Sequence, residues 1–292
     1  PEALASFLAA VGAARMDRDP NAARVLPAHL ETGFINPDYR GAQPIEWIKM
    51  SSEAISGKIA SELIFSSQAA DIGIFTMAPE IPGGFDLLRA ARKAGIRVSL
   101  GHSGATYDQA IEAIELGACH ATHLYNRMSP MTHRDPGLVG AILEREEVAA
   151  EIIGDGFHVH PAAVRVAIAA KGRSRVMAIT DGTAGSGLPR GSCATLGGRR
   201  ITVGDTATLD DGTFAGSVAT MDKVFSVLVT RSGQSLVDAA TLCATTPARE
   251  LALTTQGAIA PGYLADLVVL SSSLQVTQTW IAGVRTQSPA RP

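Results

Sequence analysis

The stretch at residues 96–117, "IRVSLGHSGATYDQAIEAIELG", contains the features of a strand, a polar turn and a helix in that order. A short, largely apolar run ends at Leu100, and His102 follows it after a single glycine. From Thr106 onward, apolar residues recur at intervals of three and four until Gly117, which is the period of a helix followed by a stop signal. The stretch therefore predicts a βα unit whose strand ends beside a histidine.

Other runs of the same kind occur between residues 23 and 184, separated by helix-like segments. They read "ARVLPAHLE", "DIGIFTMAPE", "ACHATHLYN", "VAAEIIGDGFHV" and "RVMAITDGT". Strands that helices cover on both faces appear as near-continuous apolar runs, so the pattern predicts a parallel α/β sheet. The opening "PEALASFLAAVGAAR" reads as a helix before the first strand.

A distinctive polar residue stands at the C-terminal end of each run. These residues are Glu31, Glu80, His102, His123, His158 and Asp181. In a (β/α)8 barrel such strand ends meet at one mouth, where active sites of that fold lie. An open doubly wound sheet would instead place its signal in one glycine-rich turn, and neither GxGxxG nor GxxxxGK[ST] is present. The predicted fold class is therefore α/β, with a (β/α)8 TIM-type barrel.

The apolar runs provide six of the eight strands that a (β/α)8 barrel needs, so we expect the barrel to lack its first two βα units. After Asp181, "SCATLGGRRITVGDTATLDDGTFAG" predicts short strands with turns, and two helical stretches follow it. The final residues predict a few more strands in a small β-domain. We assign residues 1–256 to the barrel and residues 257–292 to the small domain.

Net charge, cysteine spacing and the length of the apolar runs indicate which partners and which cellular compartment to expect. The 292 residues carry a formal net charge of −3, without a Lys/Arg run, so nucleic acid and anionic membranes are not expected as partners. Cys119, Cys193 and Cys243 are isolated, which favours a reducing compartment and argues against a thiolate metal site. No apolar run approaches the roughly 20 residues of a membrane span. We expect a cytoplasmic protein.

Glu31, His102 and His123 are donors that Zn, Mn or Fe accepts, each at the end of a predicted strand. A single histidine at such a place is more often structural, but ligands from different strands meet only at a barrel mouth. One Glu and two His leave coordination positions open for water, as catalysis requires. His29, one pleat period before Glu31, is expected to face the same side and to support the site.

Asp181 ends the last barrel run and precedes a glycine-rich loop. Beside a metal, its carboxylate could take a proton from water and return it to a leaving group, which indicates hydrolysis. The alternative is a turn or helix-capping aspartate. His158, Asn126 and Arg134 lie at the same predicted rim, where they could bind a polar ligand or serve as ordinary structural and surface residues.

Taken in order, the motifs resemble those of the N-acetylglucosamine-6-phosphate deacetylase family of the amidohydrolase superfamily. They include "HLETGFINP", "TMAPE", "GHSGAT", "THLYNRMSPMTHRDPGLVGA", "GDGFHVHP", "ITDGTAGSGLP", "GTFAGSVATM" and "TTPAREL". The match runs from about residue 24 to 285, and the ordered set is highly specific. The resemblance implies a metal-dependent barrel with a small β-sandwich formed by both chain ends.

The resemblance also implies roles for individual residues. Glu31, His102 and His123 would bind the metal, and Asp181 would be the acid and base. The sugar would contact Asn126, His158 and the backbone of Phe214, Ala215 and Gly216, while Arg134 would bind phosphate in the neighbouring subunit's site of a homodimer. The implied cofactor is a divalent metal, Zn before Fe, Mn or Co, as one ion or two. The implied reaction releases acetate from N-acetylglucosamine 6-phosphate in amino-sugar catabolism.

Two positions depart from the family pattern. Gln43 stands where relatives have a histidine that polarises the carbonyl, and Arg127 replaces a small residue after the substrate asparagine. Glutamine can donate a hydrogen bond but carries no charge, whereas Arg127 adds a cation at the rim. We include both among the predicted substrate-binding residues. Two alternatives remain: deacetylation of another N-acetyl amino sugar, phosphorylated or not, and a catalytically silent truncated barrel that only binds a sugar phosphate.

Overall fold

The computed structural model describes residues 2–17, 22–31, 33–48 and 69–286. Its strands are β1 (Ala28–Glu31), β2 (Ile72–Met77), β3 (Arg97–Leu100), β4 (His120–Ala121), β5 (Ala149–Ile153), β6 (Val176–Ile179), β7 (Cys193–Leu196), β8 (Arg199–Val203), β9 (Ala207–Thr208), β10 (Leu267–Leu270), β11 (Val276–Ile281) and β12 (Val284–Arg285). The helices are α1 (Glu2–Met16), α2 (Gly84–Lys93), α3 (Tyr107–Glu115), α4 (Gly137–Glu144), α5 (Pro161–Lys171), α6 (Met221–Thr230), α7 (Leu236–Ala240) and α8 (Thr246–Glu250). A π-helical turn at Thr241–Thr245 joins α7 to α8.

The main sheet has six parallel strands in the order β1-β2-β3-β4-β5-β6. Spatial order thus equals chain order, as successive βα units of a barrel require. The predicted parallel sheet and its six strands are confirmed. The expected lack of two βα units stays a prediction.

Helices α2, α3, α4 and α5 each connect two neighbouring strands of this sheet. The start of α3 has a local cause: the Thr106 hydroxyl accepts from the Gln109 amide, and the Gln109 side chain accepts from the Thr106 amide. This reciprocal capping box ends the turn that follows His102 and confirms the βα unit at residues 96–117. Among the described helices, none has the length and apolar character needed to cross a membrane.

The core lies between the main sheet and its helices. Leu88 of α2, Leu100 of β3, Leu138 of α4 and Ile152 of β5 are at most 2% exposed and belong to one cluster. Burying a side chain of this size contributes roughly 1.5–3 kcal/mol, so this layer holds the strand ends in place.

Two antiparallel sheets accompany the parallel one. Strands β7, β8 and β9 form a three-stranded sheet with its own small core, which includes Ile201, Leu209 and Ala215. The predicted strands after Asp181 are thereby confirmed. Strands β10, β11 and β12 form the other sheet, and Asp266 beside it pairs with Arg24 at 2.9 Å, so this sheet is linked to the segment that precedes β1.

A partly buried ion cluster lies at the starts of β4 and β6. His120, at the start of β4, is 1% exposed and lies 3.5 Å from Glu250 of α8, which also pairs with Arg175 at 3.3 Å. Burial opposes ionisation of Glu250, but the hydrogen bonds from His120 and Arg249 outweigh it and lower the pKa of Glu250 to about 2.

Glu250→Gln should lower the free energy of unfolding at neutral pH by on the order of 2 kcal/mol, because the folded protein favours the ionised carboxylate. A carboxyl group with a depressed folded pKa stabilises above its unfolded pKa of about 4.5 and loses that contribution as the pH falls toward about 2. The gap between variant and parent in denaturant unfolding should therefore narrow below about pH 4.5. Glu112→Gln, on the exposed face of α3, is the control. A gap that does not change with pH would contradict this interpretation.

Candidate metal centre

Three side chains from three different strand ends converge at one point. Nε2 of His102 lies 3.0 Å from Oε1 of Glu31, and Nε2 of His123 lies 3.3 Å from Oε2 of Glu31. The two Nε2 atoms are 3.0 Å apart. We call Glu31, His102 and His123 the metal triad; among the described residues, it is the one group of three or more such side chains arranged to hold an ion.

The convergence requires a curved sheet. Glu31 ends β1 and His123 follows β4, so the two residues are three strand spacings apart. At about 4.8 Å per spacing, a flat sheet would separate them by about 14 Å. Their contact at 3.3 Å therefore shows that the sheet curls as a barrel does.

The backbone at the strand ends is unusual. His102, His123 and Asp181 have φ values of 48°, 35° and 50°, in the left-handed region that non-glycine residues seldom adopt. Such conformations cost on the order of 1–3 kcal/mol each and persist where the surrounding structure enforces them. Arg127, a fourth predicted site residue, also has a positive φ, of 52°. Sequence gives only a weak sign of this strain, since His and Asp adopt the left-handed region more often than most residues.

The donor set fits a metal ion. Nδ1 of His102 donates to the carbonyl of Tyr39 at 2.7 Å, so Nε2 of a neutral ring carries a lone pair. That lone pair faces a carboxylate oxygen and a second imidazole, and such an array is unfavourable unless a cation or proton lies between the atoms. Ligands bound to zinc at 2.0–2.1 Å in tetrahedral geometry lie about 3.3 Å apart, which is close to the separations here.

Charge coupling within the metal triad is strong. Burial opposes ionisation of Glu31, yet the two histidines hold the pKa of Glu31 well below its usual range. Burial likewise disfavours the charged ring of His123, but the hydrogen bond and charge of Glu31 outweigh it and raise the pKa of His123 to about 9. Asp181 also raises the pKa of His123, and the two residues line the same cavity.

Glu80, the polar residue after β2, holds the His102 turn. Its carboxylate accepts from the Ser103 hydroxyl at 2.7 Å, the Gly104 amide at 2.6 Å and the Asn36 side chain at 2.9 Å. Glu80 therefore connects the loops after β1, β2 and β3 without touching the metal triad in any described contact. Its position at a strand end was visible in the sequence, but its partners were not.

Gln43 and His29 have partners that the sequence did not reveal. The Gln43 side chain donates to Oε1 of Glu31 at 2.7 Å, so it orients a member of the metal triad. His29 bonds Thr76 at 2.6 Å and lies 3.5 Å from Glu151. No described contact joins His29 to the metal triad, so its expected support of Glu31 is not observed.

A cavity of about 900 Å³ opens above the metal triad, and we call it the mouth cavity. Its walls include most of the predicted acid/base and substrate residues: Gln43, Asn126, Arg127, His158, Asp181, Phe214 and Gly216. Gly216 has φ of 72°, and a Cβ there would lie 2.5 Å from Thr183, so the chain beside Asp181 needs glycine at this point.

Two predicted residues lie elsewhere. Ala215 is fully buried in the core of the β7–β9 sheet, between Phe214 and Gly216. Arg134 is exposed, and its described position is outside the lining of the mouth cavity. Arg40, which sequence reasoning did not select, lines the cavity together with Arg127.

Comparison with known proteins identifies relatives. The model for the amidohydrolase family matches residues 7–286. The chain is 38% identical to N-acetylglucosamine-6-phosphate deacetylase of Bacillus subtilis, over 89% of this chain and 65% of that protein. It is 34% identical to N-acetylgalactosamine-6-phosphate deacetylase of Escherichia coli O157:H7, over 93% of this chain and 71% of that protein. The chain thus spans about two thirds of the length of these curated relatives.

A solved structure agrees with these relatives. The crystal structure of N-acetylglucosamine-6-phosphate deacetylase from Pasteurella multocida superposes with a TM-score of 0.88 at 28% identity, covering 98% of this chain and 73% of that one. The resemblance that the sequence motifs indicated is confirmed.

Zn²⁺ should stabilise the protein by about 2.7 kcal/mol at a concentration 100 times its Kd, because the folded triad binds the ion and the unfolded chain does not. His102→Ala should abolish this gain in thermal unfolding, whereas the exposed His133→Ala should retain it. Without zinc, His102→Ala should cost about 1–3 kcal/mol, since the Tyr39 carbonyl loses its hydrogen-bond donor. If His102→Ala greatly destabilised the zinc-free protein and left the stabilisation by zinc unchanged, His102 would be a structural residue and not a metal ligand.

Proposed function

Since this chain belongs to the amidohydrolase family, we propose that it hydrolyses the N-acetyl amide of N-acetylglucosamine 6-phosphate. The products are glucosamine 6-phosphate and acetate, which places the reaction in amino-sugar catabolism. The observation that carries this proposal is the metal triad at the base of a cavity that Asp181 also lines.

Glu31, His102 and His123 would hold a divalent ion, with Zn favoured over Fe, Mn or Co by the nitrogen and oxygen donors. When bound, such an ion polarises the amide carbonyl and lowers the pKa of water toward 7. The metal triad supplies the three protein ligands of one catalytic ion and leaves coordination positions for water and substrate. A second ion stays an open alternative.

Asp181 would carry the proton through the reaction. Its carboxylate accepts the proton of the attacking water and then returns it to the sugar nitrogen, because an amide anion is too poor a leaving group. The backbone supports this role: the Asp181 carbonyl accepts from the Ser217 amide at 2.8 Å, which fixes the loop that carries the carboxylate.

The other walls of the mouth cavity would bind the sugar and its phosphate. Asn126 and His158 offer polar atoms, Phe214 offers an apolar face, and Arg127 adds a cation at the rim. Arg134, exposed in its loop, would reach the phosphate in the neighbouring subunit of a homodimer. Gln43 would act mainly through Glu31, to which it donates.

The larger architecture follows from the same proposal. We assign residues 1–256 to a metal-dependent (β/α)8 barrel and residues 257–292 to strands of a small β-sandwich. The Arg24–Asp266 ion pair joins the two assigned parts. The free cysteines Cys119, Cys193 and Cys243 favour a reducing, cytoplasmic location.

A second candidate substrate is N-acetylgalactosamine 6-phosphate. The 34% identity to a deacetylase of that name supports it, as do the family departures at Gln43 and Arg127. The two sugars differ in the orientation of one hydroxyl group, so kcat/KM values for both decide between them.

Asp181→Asn should retain zinc and lower kcat for acetate release by about 10²–10⁴-fold, because the amide cannot take the proton of water. Asp86→Asn, on the exposed surface of α2, is the matched control and should keep parental turnover. Full turnover in Asp181→Asn would refute the acid/base role. A zinc-loaded parent chain that releases no acetate from either sugar would instead favour the silent barrel.

Arg127→Ala should raise KM for the phosphorylated sugar about tenfold with little change in kcat, because a charge-assisted contact to phosphate is lost. KM for unphosphorylated N-acetylglucosamine should stay unchanged. Arg145→Ala, at the end of α4 and paired with Glu147, is the control. Equal losses for both sugars would contradict a phosphate contact by Arg127.

A further inference from the structure

The turn after β5 holds an aspartate and a histidine in a fixed pair. Oδ2 of Asp155 lies 2.7 Å from Nδ1 of His158. The other oxygen, Oδ1, accepts from the backbone amides of Phe157 and His158, both at 2.9 Å. One carboxylate therefore shapes the turn and also orients the ring at its end.

The pair is almost completely shielded from solvent. The side chains of Asp155 and His158 are 2% and 5% exposed. The Phe214 ring packs edge-on against His158 with centroids 5.1 Å apart and an interplanar angle of 62°. Asp155 thus holds one edge of the imidazole while Phe214 packs against the ring, which leaves it little freedom to rotate.

One polar atom of the pair is left without a partner. Nε2 of His158 is buried and makes no hydrogen bond with any described residue, although His158 lines the mouth cavity. A buried polar atom without a partner costs about 1–3 kcal/mol. In a structure whose other buried groups are largely paired, such an atom at a cavity wall indicates a contact that a ligand completes.

The protonation pattern follows from Asp155. Burial opposes ionisation of Asp155, but the hydrogen bonds from His158 and the two amides lower its pKa, so the group is an acceptor-only carboxylate. Nδ1 of His158 must then donate. In the neutral ring the proton stays on Nδ1, and Nε2 presents a lone pair to the cavity.

We propose that Asp155 is a positioning residue that fixes the tautomer and orientation of His158, so that Nε2 accepts a hydrogen bond from a sugar hydroxyl in the mouth cavity. The sugar ligand rests on the proposed function, whereas the tautomer does not. His158 makes the contact, and Asp155 acts only through it.

The tautomer is tested by ¹⁵N NMR of histidine-labelled full chain, at a pH high enough for the ring to be neutral. His158 is assigned by its absence in His158→Gln. The parent should show Nδ1 protonated and Nε2 unprotonated. In Asp155→Asn the side-chain amide can donate to Nδ1, so the proton should move to Nε2. The same tautomer in parent and variant would overturn the proposal, whether or not the chain turns over substrate.

The contact is tested by the Kd of glucosamine 6-phosphate, measured by calorimetry. Asp155→Asn should weaken binding about tenfold, as expected for losing one well-placed hydrogen bond. In a His158→Gln background the same change at residue 155 should have no further effect, since Asp155 acts through His158. An undiminished effect in that background would refute the coupling.

Two further variants make the result decisive. If Asp155→Asn does not fold, Asp155→Ser keeps a short acceptor for the backbone amides and removes the partner of Nδ1. His158 should then populate both tautomers, and a single unchanged tautomer would overturn the proposal. The exposed Asp86→Asn should leave tautomer and Kd as in the parent. If the parent tautomer is as expected but no sugar phosphate binds, the proposed function fails and the positioning by Asp155 stands.

Discussion

The site depends on three lone-pair donors that the fold holds about 3 Å apart. Glu31, His102 and His123 would repel one another or bind a proton if nothing else lay between them. The protein keeps them together through a curled sheet, left-handed backbone at two of the three positions, and the bond from His102 to the Tyr39 carbonyl. A divalent ion would neutralise this repulsion, so the free energy of metal binding would offset the backbone strain at the site.

Much of this architecture was predictable because its determinants are local. Each βα unit was identified by a short apolar run followed by apolar residues at helical spacing. For residues 96–117, this pattern agrees with the observed β3 and α3. Parallel strands in one sheet share the direction of their C-terminal ends. A polar residue that follows each run, such as His102 or Asp181, is therefore expected at the edge formed by the C-terminal strand ends.

Contacts between distant segments were not predictable from local pattern. The Gln43 side chain donates a hydrogen bond to Glu31, twelve residues earlier in the chain. His29 bonds Thr76, although its place one pleat period before Glu31 predicted a contact with the metal triad. Asp155 carries a weak local signal, since it stands three residues before His158 in a glycine-containing turn. The positive φ values at His102, His123 and Asp181 had only a weak signal, since His and Asp adopt the left-handed region more often than most residues but do so at few positions.

The central claim is that these three side chains bind one divalent ion beside Asp181. Anomalous diffraction at the zinc edge, from crystals of the zinc-loaded protein, tests it most directly. We predict a single strong peak about 2.0–2.2 Å from Nε2 of His102, Nε2 of His123 and a carboxylate oxygen of Glu31. No peak among these atoms in crystals that contain stoichiometric zinc, or a peak bound by other residues, would contradict the account.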